Sequence, residues 1–188
     1  MSDATCRRGE RAARRLRSLS DIVADYKERY GDRAAAELHF FASMRNLEVA
    51  VTEAGLARMP DGKRWPHQRR IPATIIKEAA RRLQRLDLSS VESFEGLRQG
   101  IEIAVRRLRG IGELYEYDTA LRIGAYLKKM PEGVYLHAGA RIGAAALGFD
   151  PRARSIELRH FPAGLRELRP YEVEDVLCIY KEWLATTR

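Results

Sequence analysis

Apolar positions recur at helical spacing along most of the chain. Ile22, Val23, Tyr26 and Tyr30 follow Ser20 and Asp21, either of which can cap a first turn, and Gly31 offers a stop. A second helix is expected from Asp32, carrying Ala35, Leu38, Phe41 and Met44 and extending through Leu47 to Val51, until Gly55 and Pro60-Asp61-Gly62 break it. Pro72 opens a third, with Ile75, Ile76, Ala79, Leu83 and Leu86 on one side and Arg81, Arg82 and Arg85 on the other. Ser93 offers a start for a fourth, Phe94 to Leu108. Asp118 reads as the N-cap of a helix through Ala125 and Leu127, and Val134 to Leu147 as another, stopped by Gly148. Ser155 to Arg159 alternates weakly, as a short strand or an extended loop would, and Glu172 to Leu184 closes the chain as an amphipathic helix. The expected fold is therefore all-α: one helical domain over 20–188, with an irregular or strand-like segment near 153–170.

Two stretches lack periodicity. Residues 1–19 hold Arg7, Arg8, Arg11, Arg14, Arg15 and Arg17 with little to bury, which makes them a basic arm or a solvated helix end. Residues 60–72 contain three prolines and gather Lys63, Arg64, Trp65, His67, Arg69 and Arg70. Surface segments of this kind carry function more often than core elements do. An aromatic ring among arginines can stack on a base while the cations hold phosphates. The alternative is a Trp65 tucked into the core.

Charge sharpens this picture. Lys and Arg number 34 against 26 Asp and Glu, a net +8, and arginine dominates the positive side. Its planar fork suits phosphate, so a polyanionic partner is favoured. Cys6 and Cys178 stand far apart, with neither the spacing of a zinc site nor a disulfide framework. The four histidines show no metal-ligand spacing, and no cofactor is expected. No apolar run could span a membrane and none follows the N-terminal arginines, so neither a membrane partner nor a signal peptide is expected, and the cytoplasm is the default compartment. No P-loop, dinucleotide fingerprint, Ser-His-Asp or Cys-His order is legible.

The most specific order of residues is Leu108-Arg109-Gly110-Ile111-Gly112 between two helical patterns. Glycines there tolerate unusual dihedrals and let backbone amides approach a phosphate, with the dipole of the following helix adding to the attraction. Arg106, Arg107 and Arg109 extend that reach. Such a contact positions a protein on a nucleic-acid backbone and reads no sequence. The plain alternative is an interhelical turn that ends one helix, and Glu113 and Glu116 count against a phosphate over this loop.

Leu108 to Gly148, within a helical core of about 94–148, resembles the helix-hairpin-helix DNA glycosylase superfamily of the endonuclease III type. The resemblance rests on Leu108-Arg109-Gly110-Ile111-Gly112, on Thr119-Ala120, and on Val134-Tyr135-Leu136-His137-Ala138 with Arg141. It implies a backbone-gripping hairpin. It also implies that the family's chemistry is lost: Tyr135 stands where the catalytic aspartate falls, and a phenol with pKa ~10 cannot do a carboxylate's work at neutral pH. Leu114 stands where bifunctional members carry their lysine.

The expected function is nucleic-acid binding, DNA first, through Gly110, Ile111, Gly112, Arg106, Arg107 and Arg109, with the footprint extended by Lys63, Arg64, Trp65, His67, Arg69 and Arg70. One alternative is an enzyme acting on a nucleic acid, nucleotide or other phosphorylated substrate, with a pocket at Tyr135, His137 and Arg141. Another is a protein-interaction or toxin–antitoxin type module with an acidic partner.

Overall fold

A computed structural model describes residues 18–88 and 90–186. The arginines of the expected arm up to Arg17 lie outside the described residues. The described chain is helical apart from one two-stranded sheet, as the periodicity predicts. Its contacts gather into two compact units, Met1–Ala34 with Glu132–Arg188, and Ala35–Pro131. Each is described by itself.

The first unit begins with α1 (Leu19–Tyr26). Its capping box is built by Ser18, whose hydroxyl accepts from the Asp21 amide while the Asp21 carboxylate accepts from the Ser18 amide. No break follows at Gly31: a π-helical turn over Lys27–Gly31 carries the helix into α2 (Asp32–Ala42). The expected helix from Val134 to Leu147 is two elements. Gly133–Tyr135 forms β1, antiparallel to β2 (Ser155–Glu157) with Val134 opposite Ile156, and α7 (Ala138–Ala146) starts after it. The closing helix also divides, into α8 (Pro170–Ile179) and α9 (Lys181–Leu184), at Tyr180.

The core of this unit joins Ile22, Tyr26, Val134, Leu136, Phe161, Leu165, Val173, Val176 and Leu177. Along α7 the buried positions are small, Ala140, Gly143 and Ala144, so its backbone lies against α8. A Cβ on Gly143 would overlap the Leu177 carbonyl. Two reciprocal bonds tie α1 to the C-terminal helices: the Tyr26 hydroxyl donates to Asp175 at 2.9 Å and the Tyr180 hydroxyl to Asp25 at 2.7 Å. Burial first, and the neighbouring carboxylate second, hold both phenols well above their usual range.

The second unit packs α3 (Leu47–Gly55), α4 (Ala73–Leu83), α5 (Phe94–Val105) and α6 (Glu113–Leu127). Asn46 caps α3 and Ser93 caps α5 through side-chain oxygens at the third amide. Ala50, Ala54, Ile76, Ala79, Leu83, Leu97, Ile101, Ala120 and Ile123 fill the interior. Gly55 faces the Ala80 Cα, where an added Cβ would stand 2.9 Å away, so α3 and α4 cross in close contact.

Candidate nucleic-acid interface

The glycine turn lies wholly in the second unit. The fourth helix ends at Val105, earlier than Leu108, and residues 106–112 lead into α6. Gly110 adopts φ +93°, a backbone region that favours glycine, and Arg107 also turns left-handed at φ +70°. Space is not the constraint, since a Cβ on Gly110 would find only Pro72 Cδ, 3.9 Å away. The turn is held internally by the Ile111 amide donating to the Leu108 carbonyl and the Leu108 amide to Val105, each at 3.1 Å. Arg106, Arg107, Arg109, Gly110 and Gly112 are exposed, while Leu108 and Ile111 are half-buried.

Gly112 is the N-cap of α6 in extended conformation, and no side chain caps the helix there. A helix start leaves its first amides without intrahelical partners. Glu113 and Glu116 occupy this first turn. Asp118, expected as the cap, instead sits inside α6, and its carboxylate is engaged elsewhere. The cap signal misled because glycine leaves no side-chain signature of its own.

Two contacts join the turn to the rest of the basic surface. Arg82 of α4 donates to the carbonyls of Ala104 and Arg106 at 3.3 and 3.2 Å, satisfying the end of α5. Pro72, which precedes α4, stands beside Gly110. Lys77 and Arg81 of α4 are exposed four residues apart and share a face, and Arg85 is exposed just past the end of that helix. Arg81 and Arg82 both pair with Glu78, and those bonds pull its carboxyl down to about 2. Between residues 58 and 85 nine basic residues face only Asp61 and Glu78.

The 63–70 segment is ordered by its own hydrogen bonds. The Met59 amide donates to the Lys63 carbonyl at 2.7 Å and the Trp65 amide to Ala57 at 3.0 Å. Lys63, Arg69 and Arg70 are exposed, with Lys63 beside Asp61 at 3.3 Å. Arg64 is half-buried and donates to the Ile71 carbonyl at 2.6 Å, and the Arg69 Nε donates to the Arg64 carbonyl at 3.1 Å. Trp65 corrects the stacking expectation: it is 7 % exposed, in the core, with the Arg122 guanidinium 5.1 Å from its ring centre.

His67 belongs to a cluster that the sequence reading did not assemble. Its Nε2 lies 2.6 Å from the Asp118 Oδ2, which also accepts from the Gln68 side-chain amide at 2.6 Å. Behind them is Arg122, 2 % exposed. Its Nε donates to Glu37 at 2.8 Å, its Nη1 to the Gln68 carbonyl oxygen at 3.4 Å, and its Nη2 stands 3.9 Å from Asp118. Burial raises the Glu37 carboxyl above its ordinary range, opposed by the Arg122 charge. The available signal was Asp118 and Arg122 at i, i+4, an opposite-charge pair on one helical face.

Tyr135, His137 and Arg141 belong to the first unit. Tyr135 is half-buried at the end of β1, opposite Ser155. His137 is the N-cap residue of α7, buried, with its Nε2 against the Glu174 Oε1. Arg141 Nη1 donates to the carbonyls of Pro151 and Ala153 at 2.8 and 3.1 Å. The last two side chains are thus engaged in holding their own unit together.

Among the described residues no helix is long and apolar enough to cross a membrane, and no group of three or more His, Cys, Asp or Glu side chains could hold a metal ion. No family model, curated protein or solved structure matches the chain.

Proposed function

We propose that this protein binds nucleic acid, DNA in the first instance, through the backbone and without reading sequence. The observation that carries the proposal is the exposed turn over residues 106–112. A glycine at φ +93° and three exposed arginines stand there at a helix start that no side chain caps. Phosphate is the ligand for such a place, since backbone amides and guanidinium groups both bind it and the helix dipole favours its charge. The surface around the turn supports the same ligand. Pro72 and Arg82 connect it to the 63–70 segment and to the exposed Lys77 and Arg81 of α4, so cations are spread over a length that one small anion would not need. Glu113 and Glu116 set a limit on where the strand runs, over the arginine side of the turn. The cytoplasm is the proposed place of action.

The test is binding of the purified protein to labelled single- and double-stranded DNA and RNA across a salt series. Affinity should fall linearly on a log–log plot, with a slope near −0.9 for each duplex phosphate neutralised. Gly110→Asp should abolish binding, by combining backbone strain with a misplaced charge. Arg106→Ala with Arg109→Ala should flatten the slope by about 2. Absence of binding at low salt overturns the proposal.

A further inference from the structure

The geometry points to His67 as a general base that cleaves a bound ribonucleotide strand by activating the strand's own 2′-hydroxyl. This rests on the nucleic-acid reading above and adds a reaction to it.

The cluster around His67 has the order of a proton-transfer site. An ionised carboxylate only accepts hydrogen bonds, so the bond to Asp118 at 2.6 Å fixes the proton of neutral His67 on Nε2 and leaves the lone pair on Nδ1. Asp118 is itself positioned by Gln68, and Gln68 by Arg122, so the imidazole is the open end of a buttressed chain. The groups facing His67 are Asp118 and Glu37, with Arg122 behind them. The His67 side chain remains 26 % exposed, between the exposed cations Lys63 and Arg69 in sequence, where a phosphate strand is proposed to lie.

The nucleophile decides the substrate. Asp118 is the hydrogen-bond partner of the ring, and no hydroxyl or thiol of the described residues bonds to it. A base of this kind needs its nucleophile from the ligand, and RNA carries one at every residue. In the proposed step Nδ1 takes the 2′-hydroxyl proton and the 2′-oxygen bonds to the adjacent phosphorus. The bond from phosphorus to the 5′-oxygen breaks, and that oxygen takes a proton from water. His67 then returns its proton to solvent. The products are a 2′,3′-cyclic phosphate and a 5′-hydroxyl end, with no redox change and no further reactant.

The full chain is incubated with an end-labelled single-stranded RNA, the same strand 2′-O-methylated throughout, and the matching DNA. The expected result is cleavage of the RNA alone, leaving cyclic phosphate ends. General-base removal typically costs about a hundredfold or more. His67→Ala should therefore lose at least that much while still binding the 2′-O-methyl strand, and added imidazole should restore part of the rate. His67→Gln, which keeps a donor for Asp118 but has no basic nitrogen, guards against a folding defect and should be equally inactive. Cleavage unchanged in either variant, or equal cleavage of DNA, overturns the assignment. A 2′-O-methyl strand that binds while the RNA stays intact removes only the catalytic step, whereas failure to bind any strand removes the interface beneath it.

Discussion

Each unit of this protein contains a histidine against a carboxylate, and the two pairs have opposite surroundings. In the first, His137 and Glu174 have side chains only 5 % and 7 % exposed. In the second, His67 and Asp118 are 26 % and 15 % exposed, on a basic surface. The same two groups therefore do different work. A pair without solvent access has no route for a proton and can only hold its helices together. A pair with one open edge can exchange protons with whatever lies over it. Residue type decides neither role, because neighbours and access do.

That contrast can be broken most forcefully from the buried side. Glu174→Ala leaves the enclosed His137 ring without its hydrogen-bond partner, and an unsatisfied buried polar group costs about 1–3 kcal/mol, to which the lost packing adds. A urea titration should show the loss as a lower midpoint, and a loss under about 1 kcal/mol would mean that the pair does not hold its helices together. His67→Ala should cost no more than about 1 kcal/mol in the same titration, since the pair is only part-buried and Asp118 keeps its bond from Gln68. A larger loss would make the two pairs alike and remove the distinction. The smallest effect sharpens the picture of exposed pairs. Glu78 is held down to about 2 from an ordinary 4.5 by Arg81 and Arg82, so it favours folding above about pH 4.5 and loses that contribution as pH falls toward 2. Wild type and Glu78→Gln should accordingly differ near pH 5 and converge near the lower limit.

The sequence made the helical class plain, because Ile75, Ile76, Ala79 and Leu83, or Leu97 and Ile101, fall on one face at helical spacing. Ser93 announced α5 through its cap. Boundaries were lost where no side chain marks them. Gly112 starts α6 with nothing but backbone, so Asp118, a favoured cap residue, drew the start six residues too late. The strand Gly133–Tyr135 is too short to show alternation, and its partner lies beyond α7, out of reach of a local window. The π-turn over Lys27–Gly31 overrode a glycine stop where Tyr26 sits in the core of its unit and Tyr30 packs against that core. For the candidate interface, the turn and the cationic stretch were visible as composition. The cluster of His67, Gln68, Asp118, Arg122 and Glu37 was not, since it joins residues up to 85 positions apart that no spacing rule connects.

The enclosed guanidinium of Arg122 has a consequence for how the second unit assembles. Asp118, one turn away on α6, stands 3.9 Å from it, but the guanidinium's hydrogen bonds go to Glu37 and Gln68, separated from Arg122 by 85 and 54 residues. A chain that has closed only its local helices has Asp118 alone to offset this cation, and enclosing it against Phe41 and Trp65 before Glu37 and Gln68 arrive is costly. Closing the long loops that bring those partners is slow, because its entropy is lost before any contact forms. Forms in which Arg122 is enclosed while Glu37 or Gln68 is undocked are therefore disfavoured, and the α6 amides around Arg122 should be among the slowest of this unit to exchange with solvent.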